Sequence, residues 1–150
     1  MNILQIGITV FCFIETLNVI ILYFNPTFKY GNGVGVFDDY KEAIQDDPKK
    51  DFINYMVNWV AGTKLIFIMV GMVVVIWGNY DAQFYTVIAL IISILSFYWK
   101  LFPTIKKLDL EGKITPKGYS KTLNFMILSF VTGFLVILII EIVGMISSAV

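Results

Sequence analysis

The sequence predicts an all-α integral membrane protein, a four-helix bundle forming a single domain over residues 1–150, and three observations carry that expectation. The first is composition: 58% of residues are hydrophobic, 16% aromatic and 15% charged, whereas a soluble domain is about half apolar and roughly a quarter charged. The second is length. Apolar runs at residues 3–24, 52–77, 84–102 and 123–148 reach the ~20 residues that a helix rising ~1.5 Å per residue needs to cross a ~30 Å hydrocarbon layer. The third is the placement of lysine. Lys29, Lys41, Lys49 and Lys50 lie in the connection 25–51, and Lys100, Lys106, Lys107, Lys113, Lys117 and Lys121 lie in or beside the connection 103–122. The turn from Gly78 to Ala82 and both ends of the chain have none, so the positive-inside rule places both connections in the cytoplasm and both termini outside.

Each span can be justified in order. The first run has no basic residue in Met1 to Gly7 and no small-residue cleavage pattern after it, so it is expected to be retained as a helix. Tyr23, Phe24, Tyr55, Trp59, Tyr98, Trp99 and Phe102 gather at the connection ends, while Trp77, Tyr80, Phe84 and Tyr85 surround the short turn, as amphipathic rings do at membrane interfaces. In the first connection, Gly31, Gly33 and Gly35 permit unusual backbone angles. Phe37 to Gln45 is then expected to form a short interfacial helix, and Asp47-Pro48 reads as the N-cap and first residue of the second span. In the second connection, Pro103 to Leu110 should continue as an amphipathic segment, Glu111-Gly112-Lys113 should turn, and Thr115-Pro116 should start the last helix.

The two halves echo one another. Phe24-Asn-Pro-Thr-Phe-Lys29 matches Leu101-Phe-Pro-Thr-Ile-Lys106, and Ile53-Asn-Tyr-Met-Val57 matches Leu123-Asn-Phe-Met-Ile127, in the same order. A 2+2 parallel internal repeat would produce this, as would generic membrane-exit signals.

Residues three or four apart share a helix face. The stripes that collect small and polar residues are Ile8, Cys12, Glu15, Asn18 and Leu22; Val57, Ala61, Lys64, Phe67 and Gly71; Thr86, Ala89, Ser93 and Ser96; and Gly133, Ile137, Glu141, Gly144 and Ser148. Turning these stripes inward is the simplest way to bury the costly groups.

Glu15 and Lys64 are the outstanding feature. They lie nine residues from Phe24 and twelve from Phe52, about 13 and 18 Å from the cytoplasmic ends at ~1.5 Å per residue. A lysine stem spans that difference, and pairing lowers the cost of holding either charge in hydrocarbon. The candidate polar seam is Glu15, Asn18, Asn58 and Lys64, with Glu141, Ser93 and Ser96 as secondary candidates; Glu141 is expected near the outer boundary.

With no histidine and the single Cys12, the chain cannot build a conventional zinc site, a histidine-ligated haem or a Ser-His-Asp triad. No disulfide within the chain and no CxxC pair is possible. Gly31-Asn-Gly-Val-Gly35 lacks the spacing and strand context of a dinucleotide fingerprint, and the stretch around Asp109 lacks the terminal carboxylates of a calcium loop. No cofactor, metal or nucleic-acid partner is expected. The connection lysines fit topological anchoring or attraction to anionic lipid headgroups.

The use of lysine alone as the basic residue, with abundant isoleucine, fits a bacterial inner membrane. Four helices and a first-span glutamate are similar in outline to the small multidrug resistance exporters. That resemblance implies proton exchange at Glu15, but the long connections, Lys64 and the outside termini depart from it. The sequence favours a non-catalytic structural or accessory subunit, forming an oligomer or joining a membrane partner. The alternative is a small proton- or cation-coupled transporter or channel using Glu15.

Overall fold

The computed structural model describes residues 1–29, 34–45 and 47–148, and among them it contains helices and no strand. The helices are α1 (Ile3–Phe24), α2 (Asp38–Ala43), α3 (Asp47–Trp77), α4 (Tyr80–Leu95), α5 (Leu101–Leu110) and α6 (Tyr119–Ser148), with 3-10 turns at Val34–Val36 and Ser96–Tyr98. Four stretches are long and apolar enough to cross a membrane: Ile3–Phe24, Pro48–Trp77, Tyr80–Leu110 and Tyr119–Ser147.

α1 starts at a capping box. Asn2 accepts the Gln5 amide at 2.8 Å, and the Gln5 side chain accepts the Asn2 amide at 2.9 Å, which satisfies two otherwise orphaned donors. It ends at Asn25, before Pro26, which cannot continue a helix. The helix packs most extensively on α3. The seam runs through Leu4, Ile8, Cys12, Val19 and Leu22 on α1 and Val57, Ala61, Ile68 and Val75 on α3. This spacing near 3.5 residues is that of closely aligned helices. Gly71 makes the approach possible, because a Cβ there would lie 2.8 Å from Cys12 Sγ. Phe67, expected on this face, is 70% exposed, and Ile68 at 5% takes its place.

The other two stripes turn out differently. On α4 the buried residues are Gln83, Val87 and Ile91, whereas Thr86 is half-buried and Ala89 is exposed. Hydroxyls do not need an inward face, because they can bond their own backbone. Thr86 donates to the Ala82 carbonyl at 2.6 Å and Ser96 to the Ser93 carbonyl at 2.6 Å. On α6, Leu123, Val131 and Phe134 are buried, while Gly133 and Gly144 are exposed with open space beside them. Large side chains, Val131 and Phe134, and not the small residues, fill the interior on this helix. The Ser148 side chain lies outside the described residues.

The third span also differs from its expected boundaries of 84–102. It begins at Tyr80, where Asn79 accepts the Ala82 amide at 2.9 Å, and gives way at Ser96 to the 3-10 turn before α5. α6 begins at Tyr119 rather than at Thr115-Pro116, because Gly118 adopts a left-handed φ of 81° that interrupts the helix. Its first turn is capped from a distance. Asp109 on α5 accepts the Gly118 amide at 2.9 Å, the Ser120 amide at 3.0 Å and the Ser120 hydroxyl at 2.5 Å.

The two long connections dock on one another. Phe37 and Ile114 form an antiparallel bridge, the Thr115 amide donates to the Val36 carbonyl at 2.9 Å, and the Asp38 amide donates to the Lys113 carbonyl at 3.0 Å. Val36, Ile114, Tyr119 and Leu123 form a second apolar core beneath this bridge. Gly35 is required here, since a Cβ would fall 2.2 Å from the Thr27 carbonyl. The expectations for Gly31 and Gly33 fall outside the described residues. Of the two echoed pairs, one folds differently in the two halves, residues 25–27 being a turn and 101–106 helical, while 53–57 and 123–127 are both helical.

A cavity built on Glu15 and Lys64

Residues of α1, α3, α4 and α6 line a cavity of about 530 Å³. Its wall is largely apolar, with Phe11, Phe97 and Phe130 among the lining rings, and Phe11 meets Phe130 edge-on with centroids 5.7 Å apart. The cavity is open on one side, where Leu17, Phe67 and Leu101 are exposed.

Five of the residues singled out in the sequence line this space: Glu15, Asn18, Lys64, Ser93 and Ser96. Lys64 Nζ lies 2.6 Å from Glu15 Oε2, a charge-assisted hydrogen bond between neighbouring helices. Their side chains keep 24% and 20% of their surface accessible, so the pair forms part of the wall and is not sealed within the core. Asn18 sits three residues after Glu15 on the same face, and its Oδ1 is buried with no hydrogen-bond partner among the described residues. A buried acceptor without a donor costs about 1–3 kcal/mol. The site therefore holds two acceptors three residues apart on one helix face, a carboxylate engaged by one lysine and an amide oxygen with no donor among the described residues.

Asn58 does not join them. It is exposed and absent from the cavity wall, because six residues from Lys64 amount to about 240° around a helix and so to a different face. Glu141 is also separate, on the far part of α6, where it accepts the Tyr80 hydroxyl at 3.1 Å. Among the described residues, no group of three or more His, Cys, Asp or Glu is placed to hold a metal.

A second polar cluster, centred on Gln83, escaped the sequence reading. Gln83 is 2% exposed; its Oε1 accepts from Asn2 Nδ2 at 2.8 Å and its Nε2 donates to the Gly78 carbonyl at 2.9 Å. Gln5 Nε2 reaches the Val75 carbonyl at 3.0 Å. These amides tie the starts of α1 and α4 to the end of α3, so the helix pair carrying Glu15 and Lys64 is fixed at the end remote from the cavity. The available signal was a lone amide inside an apolar run.

Beyond the bundle, the carboxyl group of Asp38 is held below the usual carboxylate range, chiefly by the hydrogen bond from Lys41 at 2.5 Å and also by the Thr115 hydroxyl. Comparison of the chain with protein-family models, with curated proteins and with solved structures gives no match.

Proposed function

We propose that this multi-pass protein is a small carrier in a bacterial inner membrane, with both connections in the cytoplasm and both termini outside, and that its cavity takes an amphipathic amine. One observation carries the reading: the Glu15–Lys64 pair lines an open, mostly apolar cavity. A purely structural pair would serve equally well in a sealed core, whereas a pair in the wall of an open cavity can exchange one partner for a ligand.

The chemistry of the wall selects the ligand. Asn18 Oδ1 offers an acceptor with no donor among the described residues, and Glu15 is a carboxylate on the same helix face, so the complementary group is an N–H-bearing cation. Aromatic and aliphatic side chains surround these acceptors and suit an apolar body, with ring faces that also attract cations. Charge balance supplies the coupling. Glu15 and Lys64 together sum to zero, so a bound ammonium adds one positive charge, which is offset when Lys64 gives one Nζ proton to water and the ligand's N–H takes its place on Glu15. Oligomerisation belongs to the same proposal, because four helices enclose little volume for a path, and cross-linking in native membranes should yield more than monomer.

The test uses the protein in detergent, titrated calorimetrically with 1-adamantylamine in two buffers of different ionisation enthalpy. Saturable binding with proton release is expected, and Glu15→Gln should abolish it without loss of helical circular dichroism. Unchanged binding in Glu15→Gln would sink the carrier reading. The second reading, an accessory subunit in which the pair locks α1 to α3, draws support from the short 2.6 Å contact and the extensive α1–α3 seam. It requires that no amine bind at all.

A further inference from the structure

The connection lysines divide into two groups. Lys107 and Lys113 both approach Glu111, at 3.8 and 3.3 Å, and so share its charge. Lys106, Lys117 and Lys121 form no ion pair among the described residues and instead converge on one cavity of about 520 Å³ between α5 and the start of α6. Asp109 also lines this cavity, but its oxygens are occupied by the Gly118 and Ser120 amides and the Ser120 hydroxyl, and Lys121 lies within its field. Three ammonium groups against one hydrogen-bonded carboxylate leave an excess of two positive charges.

Two further features of this cavity point to an amphiphilic anion. Asn124 accepts the Tyr98 hydroxyl at 2.9 Å through Oδ1, which leaves its NH2 group to donate. Phe102 and Leu110 supply an apolar margin, and Leu110 is 81% exposed. Trp99, exposed on the preceding turn, belongs to the type of residue that sits at the headgroup level of a bilayer. From this juxtaposition of lysines, an amide donor and an apolar edge, we infer that the pocket binds the phosphodiester headgroup of an anionic phospholipid, with the acyl chains running along Phe102 and Leu110. The inference is independent of any ligand at Glu15, because it concerns different residues on α5 and α6.

The experiment titrates full-length protein in detergent with dioctanoyl phosphatidylglycerol and follows tryptophan fluorescence. Parallel titrations use dioctanoyl phosphatidylcholine, glycerol 3-phosphate and inorganic phosphate. A lysine close to anionic headgroups contributes a factor of about five in affinity, so the combined variant Lys106→Gln, Lys117→Gln, Lys121→Gln should bind phosphatidylglycerol roughly 100-fold more weakly. All three lysines are exposed, and folding of the variant is checked by circular dichroism. Lys107→Gln with Lys113→Gln removes the lysines that share Glu111 and should change affinity by less than about threefold. Equal binding of phosphatidylcholine overturns the headgroup assignment, and equal binding of either soluble phosphate overturns the lipid assignment. An equal loss in the Lys107/Lys113 variant overturns the site in favour of diffuse surface charge.

Discussion

The Glu15–Lys64 pair yields the sharpest quantitative prediction. At a separation of 2.6 Å, the gross attraction is roughly 6 kcal/mol for an effective dielectric constant of ~20. Deleting one member of a sealed pair costs ~3–5 kcal/mol. Here a fifth to a quarter of each side chain is accessible, which lowers the expectation to about 2 kcal/mol for Glu15→Leu or Lys64→Met alone. Replacing both with apolar residues of similar size removes the desolvation cost together with the attraction, so the double variant should lie within about 1 kcal/mol of the parent. The cycle then gives a coupling energy of about 3–5 kcal/mol, at or above the upper end for residues in contact. Reversible unfolding in mixed detergent micelles, followed by far-ultraviolet circular dichroism, measures all four species. Additive losses, with a coupling below about 0.5 kcal/mol, would refute the reasoning that this contact holds α1 to α3. The same double variant addresses function, because a folded protein lacking both charges should bind no amine.

Three further outcomes are expected. Asn18→Leu should leave stability unchanged or raise it by up to about 1 kcal/mol, since it removes an unsatisfied acceptor, and it should weaken amine binding; a loss of stability in the unfolding assay would mean that the amide has a structural partner. Gly71→Val should destabilise the bundle by about 1–3 kcal/mol through overpacking against Cys12, whereas Gly133→Val, in open space, should stay within about 0.5 kcal/mol, and equal effects would contradict the assigned faces. The contribution of Asp38 depends on pH in a definite direction. Its folded-state value lies below the unfolded one, so the stabilisation is fully present above the unfolded value of ~3.9 and is lost as pH falls through the lower folded value. At neutral pH, Asp38→Asn should mimic that loss, and hydrogen exchange at the Thr115 amide should accelerate; unchanged protection would separate Asp38 from the docking of the connections.

How much was legible in the chain depended on how each residue's preference is set. Apolar run length fixes a spanning helix almost by itself, because backbone polar groups in hydrocarbon must be satisfied within the helix. The α1 stripe was readable for the same local reason: Ile8, Cys12 and Leu22 are spaced for one face, and Glu15 needs a partner of opposite charge, which Lys64 supplies at a similar depth on the next span. Rotation about the axes of α4 and α6 was not readable. α6 is apolar nearly all round, and the hydroxyls of both helices bond their own backbones, so they do not mark which face turns inward. Gln83 decided the matter for α4 by finding donors and acceptors on α1 and α3, and Phe134 did so for α6 by filling space that Gly133 could not.

The sequence by itself determined that four stretches are long and apolar enough to cross a membrane and that two opposite charges lie at similar heights along neighbouring helices. Only the tertiary structure decided that those charges line an open cavity, and that Asn18 and not Asn58 joins them. The physical reason is that a cavity is the space left where large side chains on separate helices fail to meet, which depends on helix rotations that no single helix encodes.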